Sequence, residues 1–72
     1  MGIAKDLWTA WQDRLADAAS AIDAARRLDA TADAAAVDKA WRLVLDKHEA
    51  ARAAHDEYNR HAAALARGTA TD

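Results

Sequence analysis

From Val37 to Leu65, positions spaced alternately by four and three residues read Val37, Trp41, Val44, His48, Ala51, His55, Tyr58, Ala62 and Leu65, with no Asp, Glu, Lys or Arg among them. That spacing keeps a narrow stripe on one side of an α-helix, and an uncharged stripe needs a second helix along its length. The first half repeats the pattern with Ala4, Trp8, Trp11, Leu15, Ala18, Ile22 and Ala25, widened by Ile3, Leu7 and Leu28. Alanine, the best helix former, supplies 23 of the 72 residues, proline is absent, and the only glycines are Gly2 and Gly68. Apolar and polar residues nowhere alternate with period two, so the predicted class is all-α.

The one internal stretch with stop and start signals is Leu28-Asp29-Ala30-Thr31-Ala32-Asp33. Arg26 and Arg27 sit where cations favour a helix C-terminus, and Thr31 and Asp33 both suit an N-cap, accepting a bond from an amide two or three residues on. The alternative is one unbroken helix, but the heptad phase does not continue across residues 29 to 34. The expectation is a single helical hairpin domain over residues 1–72, antiparallel because the connection is short. Its first helix covers about 3–28, the turn 29–33 and the second helix about 34–67, with a frayed tail at 68–72 after Gly68. Placing Leu28 beside Ala34 sets Ile22 near Trp41, Leu15 near His48, Trp11 near Ala51 and Trp8 near His55. Helices of about 39 and 51 Å would leave Ala62 and Leu65 on an overhang of about 12 Å.

Two helices bury only one stripe each, which leaves Leu43, Leu45 and part of the tryptophan surface uncovered. A hairpin of this size is marginal without disulfide, metal or partner, and cysteine is absent. The chain is therefore expected to complete a helical bundle with a second copy of itself, or to dock on a larger protein. The candidate partner-binding residues are Trp8, Trp11, Leu15, Trp41, Leu45, Tyr58 and Leu65, since aromatic anchors are enriched at interfaces. The expected function is a non-enzymatic protein–protein interaction module. An alternative is a small inhibitor or immunity-type regulator, of mobile-element or phage kind, that blocks a partner's working surface through the same stripe. Along the second helix, Asp38, Arg42 and Asp46, and again Arg52, Asp56 and Arg60, follow at i, i+4 and read as a solvated, self-neutralising face.

His48 and His55 occupy equivalent positions where leucine is usual. Packing is the ordinary reading. If both are buried and neutral, acid would loosen the bundle as the rings are forced to take up protons, making them a possible pH-sensitive pair. Seven residues apart, they lie about 10.5 Å from each other along the axis and cannot share one metal ion within a chain. A further alternative function is a metal-binding bundle in which two copies bring seam histidines together; the leading expectation is no metal and no other cofactor. Glu57 with His61 is the only i, i+4 carboxylate–histidine combination, and it falls off the stripe.

No catalytic residues are proposed: Ser20 is the only serine, no glycine-rich phosphate loop exists, and a two-helix hairpin offers no deep pocket. Ten Lys plus Arg against twelve Asp plus Glu give a net charge of −2, which lacks the electrostatic footprint of a nucleic-acid binder. No apolar run approaches a membrane span, and Lys5 and Asp6 beside Leu7 do not suit a signal peptide, so a cytoplasmic location is expected.

Overall fold

The computed structural model describes residues 2–30 and 33–72. It is an all-α hairpin of two packed helices, α1 at Ile3–Asp29 and α2 at Ala34–Arg67, in a slab of 53 × 17 × 10 Å. Asp33 starts α2 as its N-cap, its side chain accepting the Ala36 amide at 2.8 Å; such a cap is worth about 0.5–2 kcal/mol. The other candidate cap, Thr31, lies outside the described residues. Gly68 ends α2 in the left-handed region at φ 72°. There the Thr69 amide reaches the Ala64 carbonyl at 2.9 Å and the Gly68 amide reaches Leu65 at 3.1 Å, a closure that satisfies two otherwise orphaned carbonyls.

The centre of the hairpin is built from small residues. Ala18, Ala21, Ala25, Val44 and Ala51 are buried, Ala25 completely, and no large side chain among the described residues is fully buried. This corrects the expected phase of both stripes. Trp8 and Leu15 are 47% and 41% exposed, and His48 and Ala62 are also exposed. Positions one residue earlier, such as Leu7, Ala21, Ala40, Ala54 and His61, are buried or half-buried, while Ile22, Trp41 and His55 of the expected stripes stay half-buried beside them. The helices have rotated so that alanines meet at the line of closest approach, because separation is set by the side chains at the contact and an indole there would force the backbones apart.

The register also differs from expectation. Trp8 lies against Tyr58, and Trp11 against His55 and Tyr58, about one helical turn from the predicted partners. At the other end the Trp41 indole N–H donates to Asp29 Oδ1 at 3.0 Å. Helix α2 therefore begins beyond the level at which α1 ends, and its far-end overhang shrinks to about 6 Å. Leu65 is half-buried there.

Residues 68–72 do not hang free as a frayed tail. Helix α1 begins at Gly2, which has no capping side chain, and Asp72 supplies one from the other end of the chain. Its Oδ1 accepts the Ala4 amide at 2.6 Å and lies 3.3 Å from His61 Nε2. A Cβ on Gly2 would run into this carboxylate, which would have to shift to admit it. His61, expected off the stripe, has a side chain only 12% exposed.

The Ala4 hydrogen bond first, and His61 second, hold the Asp72 carboxyl below its ordinary value. A carboxyl lowered on folding stabilises above the ordinary carboxylate range and loses that contribution as pH falls through the lowered value. Thermal melts between pH 7 and pH 2 are therefore expected to fall less steeply on the acid side for Asp72→Asn than for wild type. Parallel curves would mean that this clasp adds nothing to stability.

Candidate interaction surface

With alanines at the centre, the bulky residues are pushed to the two flanks of the hairpin. At 100° per residue, Trp8, Leu15 and Ile22 of α1 fall on the same flank as Trp41, His48 and His55 of α2, with Leu45 and Arg52 beside them on its outer edge. The opposite flank carries Ala24, Ala36 and Leu43.

The first flank is ordered by an aromatic cluster near the chain ends. Trp8 and Trp11 meet edge to face with centroids 5.2 Å apart, Trp8 lies 5.8 Å from Tyr58, and Trp11 lies 4.4 Å from His55 and 6.0 Å from Tyr58. Each such pair contributes about 0.5–1.5 kcal/mol beyond the area it buries. The Asn59 amide stands 3.3 Å from His55 Nε2, which fixes the ring that Trp11 covers. Next to the cluster, Trp11, Leu15, His48, Ala51, Arg52 and His55 line an open depression of about 270 Å³.

Of the predicted contact residues, this flank brings together Trp8, Trp11, Leu15, Trp41, Leu45 and Tyr58. Leu65 lies apart, half-buried towards the end of α2. Exposure is uneven: Leu45 is 68% exposed, whereas Trp11, Trp41 and Tyr58 are half-buried and hold the hairpin together as well as forming the surface. His48 and His55 share the flank, but His48 is exposed, so the buried pair on which an acid-sensitive seam depends is not formed. Among the described residues, no three His, Asp or Glu side chains gather as a metal site.

The sequence reading missed the other flank. There, Ala21, Ala24, Leu28, Ala36, Ala40 and Leu43 line an open groove of about 530 Å³ whose rim holds Lys39, Arg42 and Asp46. Leu43 is 49% exposed. A leucine one row off the stripe, facing alanines across the corner, was its only trace in the sequence.

Charge on the outer surface is paired locally. Arg42 bonds Asp38 at 2.8 Å and Arg27 bonds Asp23 at 2.6 Å, while Arg14 lies 4.0 Å from Asp17. All are exposed pairs of small energetic weight. The expected chain of Arg52, Asp56 and Arg60 forms no ion pair among the described residues. No described helix is long and apolar enough to cross a membrane. Comparison with protein-family models, with curated proteins and with solved structures finds no match to this chain.

Proposed function

We propose that the chain is a non-enzymatic protein–protein interaction module that uses the tryptophan-bearing flank as its contact surface. One observation carries this reading: Trp8, Leu15 and Leu45, between 41% and 68% exposed, lie on one flank of the two-helix hairpin. Large apolar side chains exposed together on one side of a small chain mark a contact site, and Trp is among the residues most enriched where binding energy concentrates. Both depressions are open and shallow, which suits a protein surface better than a small substrate that must be enclosed.

The test compares wild type with a Trp8→Ala, Leu15→Ala double variant. Self-association by light scattering, or capture of a protein from the native host, is expected for wild type and lost in the variant while helical circular dichroism is retained. A wild type that stays monomeric from nanomolar to millimolar concentration, and captures nothing that depends on Trp8, would refute the proposal.

A further inference from the structure

Resting on that reading, we infer that the partner is a second copy of this chain, seated on the tryptophan-bearing flank to form an antiparallel four-helix bundle. The helix of one copy that rests on α2 of the other is α1. The first argument is area. A compact monomer of 7.8 kDa exposes about 4,400 Å², whereas this chain exposes 5281 Å². The surplus of about 900 Å² is close to the roughly 800 Å² that each partner buries in a standard stable interface.

The second argument is self-complementarity, which a two-fold interface requires because the same patch must fit itself. A two-fold axis parallel to the helices lays α1 of each copy along α2 of the other, residues facing at nearly the same levels as within one chain. Leu45 then meets the small side chains around Ala19 of the second copy, and Arg26 comes within a turn of Asp38 of the second copy. Arg26 has no ion pair among the described residues, and the Asp38 side chain is 63% exposed despite its bond to Arg42. The competing arrangement, with the axis perpendicular to the helices and centred on Leu15, places Arg26 beside Lys5 of the second copy. Like charges there oppose it. The opposite flank offers Leu43 and Ile3 as exposed large apolar side chains, with Leu28 half-buried in its groove. It also carries Asp6, Asp13 and Asp17 along α1, carboxylates that a second copy seated there would strip of water.

The test is sedimentation equilibrium of the full chain over a concentration series, with circular dichroism confirming that each variant keeps its helices. Wild type is expected to dimerise. Leu45→Arg is expected to raise the dissociation constant about 30-fold or more, the scale of a central contact residue, and Leu43→Arg to change it less than about threefold. Arg26→Asp and Asp38→Arg are each expected to weaken the dimer, and the doubly swapped protein to recover most of the loss. A dimer that yields to Leu43→Arg and not to Leu45→Arg overturns the assignment of the flank. A doubly swapped protein no better than the two single variants overturns the arrangement of α1 on α2. A wild type monomeric at every concentration overturns the second copy as partner, yet a Trp8-dependent complex with a different protein would still sustain the interaction module.

Discussion

Replacing Ala25 with leucine is expected to destabilise the hairpin by about 1–3 kcal/mol, a large part of the stability open to a chain this small. Ala25 is 0% exposed and sits in the cluster with Ala21 and Val44, against Ile22, Ala40 and Trp41. The three added carbons have no space at the line of closest approach, so the helices must separate, and separation uncovers every other contact along the seam. Urea denaturation followed by circular dichroism checks this. The control is Ala16→Leu, which faces outward on α1 and is expected to stay within about 0.5 kcal/mol of wild type. Equal stability of both variants would show that the alanine-to-alanine approach is looser than described.

The second large effect is expected from Trp11→Ala, at about 2–4 kcal/mol. Deleting a core indole costs about 3–5 kcal/mol, and the half-buried setting of Trp11 lowers that figure. Trp11 is the hub of the aromatic cluster, stacked on Tyr58, tilted against His55 and perpendicular to Trp8. Trp8→Ala is expected to cost about 1–2 kcal/mol, since Trp8 keeps ring contacts with Trp11 and Tyr58 but is nearly half exposed. The two substitutions thus separate the folding role of one indole from the contact role of the other. Melts read the first, and the association measurements above read the second. If Trp8→Ala proves as destabilising as Trp11→Ala, Trp8 belongs to the core and the contact surface loses its anchor.

The secondary structure was legible because its signals are local. An Asp33 carboxylate can cap only the amides just after it, and Gly68 can take a left-handed conformation wherever the helix before it ends. The candidate surface was legible in part. Trp8, Leu15, Trp41 and Leu45 stood out as more apolar bulk than two helices can bury, and the structure gathers them on one flank. His48 was misread because its four-residue step from Val44 fits a buried stripe as well as a flank. The clasp of Asp72 on Ala4 was not legible at all. The two residues are 68 positions apart in sequence, and the glycine at position 2 is meaningful only once the carboxylate is seen occupying the space beside it.

Residue pattern alone therefore settled that the chain forms two helices, where they meet, and that they return side by side. Rotation of the helices about their axes and the slide of one turn between them were decided only in the folded hairpin. Ala18, Ala25, Val44 and Ala51 belong to both possible stripes, so no single helix distinguishes the phase that adds Trp8 and His48 from the phase that adds Leu7 and Ala40. The distinction lies in how near the two backbones can come. That distance is a property of both helices at once: small side chains win the centre, and Trp8 is left on the edge, where another molecule can reach it.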